Sequence, residues 1–304
     1  MNILFVPVTY NSYDALDSYI ASVGKALDAA ADPTITVTIH VADNSSEEVR
    51  TQNSGNSSNL SPLTSHHSPL TSHPSPLKSH LSPLTTHYPN PGYLPAALKT
   101  VYSEDYASYD YIIISNVDVT LDETFFTALH DLKPDPDTVW IAPFIWSPSE
   151  HRDVNPKIQE RYTKNRLRLL RLFFRFPLVW YTYSKSVYRL RKGNQGDSSA
   201  ADISLTSHHS PLTSNIYAGH GSFMIFRPAI FQQEPPLHYP VFLFCEEIFM
   251  AEMARRIGKN TTHCPSVKVW DCEHASTGLM GLWRYCKYNH DALSYIIKHF
   301  YEQD

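Results

Sequence analysis

Short apolar runs of strand length alternate along this chain with segments whose apolar residues recur at helical spacing. The first run, residues 3–8, is followed by residues 14–30, where apolar side chains recur every three or four positions, and then by the alternating run 34–42. Ser12 stands where a helix-capping residue is expected. This order of elements favours an α/β fold, in which helices cover a mostly parallel sheet.

The same alternation continues toward the end of the chain. Further strands are predicted at residues 111–115, 139–145, 221–227 and 267–270, and further helices at 123–132, 247–257 and 282–301. Gly258 follows the second of these helices, and glycine commonly comes directly after a helix end. A length of 304 residues allows one large or two modest domains.

Four consecutive seven-residue repeats of the form SPLTSHx occupy residues 61–88, and the motif returns within residues 204–215. A proline in each of the four would cost a helix about 3 kcal/mol, so a helix is excluded. We interpret 54–88 and 204–215 as low-complexity inserts that form loops or disorder. Metal capture by their histidines is the alternative, and we do not count these histidines as site candidates. They are His66, His67, His73, His80, His87, His208 and His209.

The charge distribution separates one segment from the rest of the chain. The formal net charge is -5, which does not suit a protein that neutralises nucleic-acid phosphates, and no nucleic-acid-binding module is recognisable. Residues 150–192 nevertheless contain 12 basic and three acidic residues. The amino terminus has no basic segment followed by a long apolar one, and no apolar run reaches about 20 residues. These features predict a cytoplasmic protein.

Basic and large apolar residues are interleaved in the basic amphipathic segment, residues 152–192. Positive side chains recur there at spacings of three and four, with Leu and Phe between them. They are Arg161, Lys164, Arg168, Arg171 and Arg175. This pattern predicts an interfacial helix, or a hairpin of two, that binds an anionic membrane surface. A helix pair that faces a partner or packs on the core is the alternative.

Polar residues follow several apolar runs at the point where each run ends. Residues 9–11 follow the first run, Asp43 the second, and Asn116 and Asp118 the third, while residues 246–247 follow the apolar run 241–245. Ligands of open parallel sheets bind outside the carboxyl ends of the strands. We therefore expect these side chains to meet at one edge of the sheet.

Six short sequence motifs of this chain together resemble those of family 2 glycosyltransferases of the GT-A fold. They are VTYNS, VADNSS, NPGYLPAAL, IIISNVDV, GHGSFMIF and FLFCEEIFMAEMARRIG, and they occur in the family's order over almost the whole chain apart from the repeats. The match is closest to the bacterial rhamnosyltransferase-like enzymes. The resemblance implies one GT-A domain over 1–304, Rossmann-like, with a mostly parallel central sheet and helices on both faces.

The resemblance also implies an activity. It is inverting transfer of a sugar from a UDP- or dTDP-sugar, with dTDP-rhamnose as one candidate, to a surface-glycan acceptor that is lipid-linked, at the inner face of the membrane. The implied nucleotide-sugar-binding residues are Thr9, Tyr10, Asn11, Asp43, Asn90, Gly92 and Asn116. Asp43 would accept the imide N–H of the base. Its alternative is an Asx turn or helix cap, and for Asn90 and Gly92 the alternative is an ordinary turn.

A metal site is implied by the same resemblance. Asp118 would hold Mg²⁺ or Mn²⁺, which stabilises the charge of the leaving diphosphate, and Asn116 stands where the family's DxD motif has its first aspartate. His274 resembles a histidine that approaches the metal or the diphosphate. A strand-to-helix turn at Asn116–Asp118 and a surface histidine at 274 are the alternatives.

Glu246 and Glu247 match the motif that supplies the general base in the family. One of them would take the proton from the acceptor hydroxyl, and Glu247 is the first choice, although the residues alone leave the pair open. Two exposed glutamates favoured by a helix dipole are the alternative. His220 and Ser222 are predicted on the acceptor side, with a satisfied strand histidine as the alternative.

Two other functions remain to be weighed against transfer. One is a catalytically decayed GT-A protein that acts as a membrane-surface scaffold, suggested by Asn116 and by the repeats next to the predicted site. The other is a sugar nucleotidyltransferase, which is disfavoured because no glycine-rich basic loop follows the first strand.

Overall fold

A computed structural model describes residues 1–46, 81–183, 185, 214–272 and 280–302. Its strands are β1 Asn2–Thr9, β2 Thr36–Asp43, β3 Leu84–His87, β4 Tyr111–Asn116, β5 Val119–Leu121, β6 Thr138–Ser147, β7 Arg152–Asp153, β8 Ser214–Ile216, β9 Phe223–Phe226 and β10 Asn260–Asp271. Its α-helices are α1 Tyr13–Ala30, α2 Tyr93–Ser103, α3 Phe125–Asp131, α4 Lys164–Arg175, α5 Glu246–Arg256 and α6 Leu282–Ile296. Short 3₁₀ turns lie at Tyr106–Ser108 and Pro228–Phe231, and a π-helix at Ile297–Tyr301 follows α6.

The strands form one sheet in the order β3-β2-β1-β4-β9-β6-β10-β5, with β7 beside β6 and β8 beside β10. The three longest pairings are parallel: β1 with β2, β1 with β4, and β6 with β10. β9 runs antiparallel between β4 and β6. The carboxyl ends of β1, β2 and β4 therefore meet at one edge, as expected for an α/β fold.

Successive residues of β1 face two separate cores, one on each side of the sheet. Leu4 and Val6 pack with residues of α2, α5 and α6, whereas Ile3 and Phe5 pack with residues of α1 and α3. Side chains alternate across a strand, so a strand with helices on both sides must be apolar at every position. This explains why β1 appears in the sequence as a continuous apolar run.

The predicted elements are present, with differences at their ends. The Ser12 side chain donates to the Tyr10 carbonyl and accepts no capping hydrogen bond, so the predicted cap interaction is wrong. The predicted strand 267–270 is only the end of β10, whose pairing with β6 shifts register between Cys264 and Lys268. Pro265 lies in that irregular stretch, and proline cannot donate to a strand ladder. The first half of β10, NTTHCP, is mostly polar and contains this proline, so the sequence pattern did not indicate a strand there.

Part of the repeat region belongs to the sheet. Leu84–His87, in the fourth repeat, form β3, so the interpretation of the whole insert as loop or disorder is wrong for these residues. His40 anchors this edge strand: its Nδ1 lies 2.6 Å from Glu104 Oε1 and its Nε2 lies 2.7 Å from Thr86 Oγ1. The last two residues of the second repeat block, Ser214 and Asn215, likewise belong to a strand, β8. Repeat residues 61–80 and 204–213 lie outside the described part of the chain.

Candidate active site

Backbone hydrogen bonds draw together the loops at the carboxyl edge of the sheet. Asn44 N–H donates to the Thr9 carbonyl at 2.9 Å, and Tyr88 N–H donates to the Asp43 carbonyl at 2.8 Å. The Asn44 side chain in turn accepts from Gly92 N–H at 3.4 Å. The ends of β1, β2 and β3 and the start of α2 thus form one continuous surface.

Asp43 lies at the end of β2 and is only 3% exposed. Its Oδ1 accepts the Ser45 N–H at 3.0 Å, and its Oδ2 accepts the Tyr13 hydroxyl at 3.0 Å. The bond to Ser45 is the Asx turn that the sequence left open as an alternative. Because each carboxylate oxygen offers about two lone-pair sites, both oxygens keep capacity for a ligand N–H.

The three residues after β1 differ in their surroundings. Thr9 is fully buried, and its hydroxyl has no hydrogen-bond partner among the described residues. Tyr10 is 43% exposed. Asn11, at φ 54°, donates its N–H to Ser45 Oγ at 2.8 Å, and its Oδ1 accepts from Ser46 N–H at 3.2 Å. Asn11 therefore connects the first two strand ends.

Gly92 is required by the backbone of another loop. Its φ is +107°, and a Cβ there would lie 2.2 Å from the carbonyl oxygen of Phe242. The close approach that demands glycine is therefore that of Phe242, whose carbonyl also accepts Tyr93 N–H at 3.2 Å. Asn90, at φ 50°, donates its N–H to the Tyr88 carbonyl, as in the turn left open by the sequence. Ligand contacts of Asn90 and Gly92 stay predictions.

Asp118 lies in the short turn between β4 and β5. Asn116, the last residue of β4, donates its N–H to the Ser222 carbonyl at 2.8 Å. It lines a cavity of about 570 Å³ together with Asn11 and Tyr13. The Asp118 carbonyl accepts the N–H of Cys272, the last described residue before 273–279. His274 lies outside the described residues, and among those described no three His, Cys, Asp or Glu side chains are arranged to hold a metal.

Glu246 and Glu247 begin α5, but they do not follow a strand. The apolar run 241–245 is an irregular loop, and positive φ values at Phe244 and Cys245 turn the chain into the helix. Glu246 is buried, and its Oε1 accepts Phe244 N–H at 2.8 Å. Burial, and then the neighbouring Glu247, raise the pKa of Glu246 to about 8. The alternative of two exposed helix-dipole glutamates is therefore wrong for Glu246.

The Glu247 carboxylate lies against the GHGSF loop. A Cβ added to Gly221 would be only 3.2 Å from Glu247 Oε1. Tyr93 donates its hydroxyl to the Gly221 carbonyl at 2.9 Å. Burial raises the pKa of Tyr93 well above its usual value, and the charges of Glu246, Asp118 and Glu247 add to this effect. Tyr93 is partly buried, and its hydroxyl links the start of α2 to the GHGSF loop. Tyr93 is not among the residues predicted from sequence, although it directly follows the NPG motif.

His220 and Ser222 form a local hydrogen-bonded pair. His220 Nδ1 lies 2.8 Å from Ser222 Oγ and accepts the Ser222 N–H at 3.2 Å, so the hydrogen of the neutral ring is assigned to Nε2. Asn155 Oδ1 accepts the His220 N–H at 2.7 Å. Burial, with a smaller contribution from Lys157, lowers the pKa of His220 to about 3. The ring is therefore neutral and can donate through Nε2.

The basic amphipathic segment has an outward apolar face. In α4, Leu167 and Phe174 are buried, and residues 177–183 are also helical. Seven large apolar residues of this segment are at least 40% exposed: Leu169, Leu172, Phe176, Leu178, Val179, Tyr181 and Tyr183. Arg168 and Arg175 are exposed beside them. We call these nine residues the apolar-basic surface.

Arg161 does not belong to that surface. Its Nε lies 2.6 Å from Oε1 of Glu252, which is fully buried, and its guanidinium also donates to the Phe300 carbonyl at 3.0 Å. Arg255 and the Tyr217 hydroxyl donate to the same carboxylate. The placing of Arg161 in a membrane-facing row is therefore wrong, because it fixes the start of this segment to α5.

The raised pKa of Glu246 predicts how stability depends on pH. Between its ordinary value of 4.5 and about 8, the folded protein holds a proton that the unfolded chain releases, so the free energy of unfolding falls as pH rises. Glu246→Gln removes this decline and still accepts Phe244 N–H. Urea unfolding at pH 5, 6, 7 and 8 should show a steeper decline for wild type than for the variant. Parallel pH profiles would contradict the assignment.

Comparisons with known proteins identify the fold. No protein-family model matches the chain, and no curated protein matches it. This chain is similar to the structure of GalNAc-T7 with UDP, GalNAc and Mn²⁺. The match covers 100% of this chain and 49% of the GalNAc-T7 chain, with a TM-score of 0.54 and 10% identity. A mannosyltransferase from Pyrobaculum calidifontis, PcManGT, in complex with GDP-Man and Mn²⁺ covers 94% of this chain and 60% of its own, with a TM-score of 0.46 and 10% identity. S. aureus TarS 1-349 in complex with UDP-GlcNAc covers 90% and 61%, with a TM-score of 0.47 and 8% identity.

The chain has the GT-A fold, with a central, mostly parallel sheet and helices on both faces. The match to GalNAc-T7 carries this assignment. The chain spans about half to three-fifths of the length of these three structures. At identities near 10%, the likeness concerns the fold.

Proposed function

We propose that this protein is an inverting glycosyltransferase that moves a sugar from a UDP- or dTDP-sugar, with dTDP-rhamnose as one candidate, to a lipid-linked surface-glycan acceptor. One observation carries the proposal: the Glu247 carboxylate lies against Gly221, whose carbonyl accepts the Tyr93 hydroxyl, at the carboxyl edge of a GT-A sheet. The presence of UDP and Mn²⁺ in the GalNAc-T7 structure supports the same class of donor.

The donor site is proposed at the ends of β1 and β2. Asp43 keeps lone-pair capacity for the imide N–H of a pyrimidine base, and the buried Thr9 hydroxyl lacks a partner among the described residues. The exposed ring of Tyr10 can cover a bound base, and Asn11 holds the two strand ends together. Asn90 and Gly92 would border the same pocket.

Asp118 is proposed to bind Mg²⁺ or Mn²⁺ together with the donor diphosphate. Mg²⁺ is commonly held by one or two carboxylates, substrate phosphates and water, so Asp118 on the wall of the 570 Å³ cavity fits such a site. Asn116 offers a carboxamide oxygen on the same turn, and His274 stays a proposed further ligand. The bound ion would stabilise the negative charge of the leaving diphosphate.

Glu247 is proposed as the general base. A base must be ionised before it can take a proton, and the raised pKa keeps Glu246 protonated at neutral pH. Glu247 lies against Gly221, next to the His220–Ser222 pair on the proposed acceptor side. The neutral His220 can donate a hydrogen bond to an acceptor hydroxyl while Glu247 removes that hydroxyl's proton.

The apolar-basic surface is proposed to bind the anionic inner face of a membrane. Its apolar residues can enter the interface, and each Lys or Arg near an anionic surface contributes about 1 kcal/mol. None of the described helices is long and apolar enough to cross a bilayer. Binding there would bring the active site to a lipid-linked acceptor.

Nucleotide binding tests the proposal. In calorimetric titrations with UDP and dTDP, Mn²⁺ should tighten binding to wild type by about 10-fold or more, because the ion links Asp118 to the diphosphate. Asp118→Ala should lose this gain, whereas Asp131→Ala, which removes an exposed carboxylate on α3, should keep it. A metal gain that survives in Asp118→Ala would contradict the metal site.

The same titrations, together with an assay of sugar transfer and donor hydrolysis, separate the alternatives. A folded wild-type protein that binds no nucleotide would refute the donor site and favour the membrane-surface scaffold. Donor binding without transfer or hydrolysis would favour a catalytically decayed protein. The control for folding is the thermal unfolding midpoint of each variant, measured without ligand.

A further inference from the structure

His87, one of the histidines set aside with the repeats, lies beside the proposed donor site. It ends β3, and its register partner in β2 is Asp43. The side chain is 18% exposed, and its Nδ1 lies 3.5 Å from Asp43 Oδ2. Both ring nitrogens are enclosed and make no hydrogen bond to any described residue.

An enclosed imidazole whose Nδ1 lies 3.5 Å from a carboxylate, and whose ring nitrogens make no hydrogen bond to the described residues, requires an explanation. In every protonation state the ring has at least one N–H, and a buried donor left unpaired costs free energy. Buried polar side chains in folded proteins usually have a protein, water or ligand partner. The ring nitrogens of His87 are therefore suited to a partner that is not part of the described chain.

The position of His87 is held from both sides. The Thr86 hydroxyl bonds His40 Nε2 at 2.7 Å, and His40 Nδ1 bonds Glu104, which holds β3 against β2. After His87, Tyr88 N–H donates to the Asp43 carbonyl at 2.8 Å. Neighbouring residues paired across two strands place their side chains on the same face, so the imidazole is kept next to the Asp43 carboxylate.

The two side chains together offer an acceptor and a donor. The Asp43 carboxylate accepts hydrogen bonds, and an imidazole N–H of His87 donates them. Uracil and thymine present a ring N–H flanked by two carbonyl oxygens, which complements such a pair. Cytosine presents an unprotonated ring nitrogen at that position, and its lone pair would face the carboxylate.

We propose that His87 is a specificity-determining residue of the donor site, which donates a hydrogen bond to a base carbonyl while Asp43 accepts the adjoining imide N–H. This inference rests on the proposed function, because it requires a nucleotide at Asp43. It assigns to the last repeat a part in ligand recognition. The resulting preference is for uridine or thymidine nucleotides over cytidine nucleotides.

The test compares UDP and CDP by isothermal titration with the full chain. Wild type should bind UDP at least about 10-fold more tightly than CDP, since a site built to pair a polar edge rejects its mismatch. Asp43 still discriminates between the bases in His87→Ala, which should leave CDP binding unchanged and lose about 10-fold in UDP binding. His87→Gln, whose amide can still donate, should retain part of it. Thr85→Ala, an exposed neighbour on β3, should behave as wild type.

The outcomes distinguish this inference from the proposed function. If wild type binds UDP and His87→Ala binds it equally well, His87 only holds buried water and the inference is overturned. If wild type binds neither nucleotide, the donor site itself is refuted and the inference falls with it. Thermal unfolding of His87→Ala identifies a variant that has lost its fold, and His87→Gln then decides the question.

Discussion

Glu247→Gln is expected to lower kcat for sugar transfer by about 10²- to 10⁴-fold and to leave the Kd for the donor within about twofold of wild type. Glutamine keeps the size of the side chain but cannot accept the proton of the acceptor hydroxyl. The expected split between kcat and Kd follows because Glu247 lies against Gly221, on the proposed acceptor side of the site. Release of nucleoside diphosphate in the presence of a lipid-linked glycan fraction measures kcat.

Glu246→Gln is the matched control for this experiment. Glu246 is buried with a pKa raised to about 8, so at neutral pH the wild-type residue is already uncharged and resembles glutamine. We expect kcat at pH 7 to stay within about fivefold of wild type, well short of the loss from a missing base. The reverse result, an inactive Glu246→Gln and an active Glu247→Gln, would assign the base to Glu246.

Removal of apolar side chains from the apolar-basic surface is expected to weaken membrane binding by about 100-fold. Leu169, Leu172 and Phe176 are each 51% exposed, and full burial of such side chains is worth about 1.5 to 3 kcal/mol each. Half of that for each of three residues corresponds to about 2 to 4 kcal/mol. The measurement is co-sedimentation of the triple serine variant with vesicles that contain phosphatidylglycerol.

Leu84→Ser is the matched control, because Leu84 is 57% exposed on β3 and lies outside the apolar-basic surface. Its binding to vesicles should equal that of wild type. Wild-type binding should also weaken when salt is raised to about 1 M, since salt screens the contribution of Arg168 and Arg175. Equal vesicle binding by the triple variant and wild type would refute the membrane proposal and favour a protein partner for this face.

Much of the candidate site could be predicted because its residues follow strand ends. Asp43 is the last residue of β2, and Asp118 lies two residues after β4. Both strands are apolar runs in the sequence, so the position of the two carboxylates at one edge follows from local pattern. Tyr93 could not be placed in this way. Its hydroxyl bonds the Gly221 carbonyl, 128 residues away along the chain, and Glu247 reaches that glycine from a third segment.

The repeats show a structural feature that local sequence pattern could not predict. The prolines of the repeats argued against a helix, but nothing in the repeated motif indicated that the fourth copy pairs with β2. Leu84–His87 form a strand because β2 offers an unpaired edge and His40 binds Thr86 there. The same pairing places His87 next to Asp43, a contact that no spacing in the sequence indicates.

The sequence by itself determined the order of strands and helices, the fold class and the segments that carry the candidate site, because periodicity and turn residues act over a few neighbouring positions. Only the tertiary structure decided what each polar side chain does. Glu246 and Glu247 are adjacent and chemically identical, yet one is enclosed and the other lies against Gly221. Protonation depends on burial and on neighbouring charges, and both are set by contacts between segments far apart in the chain.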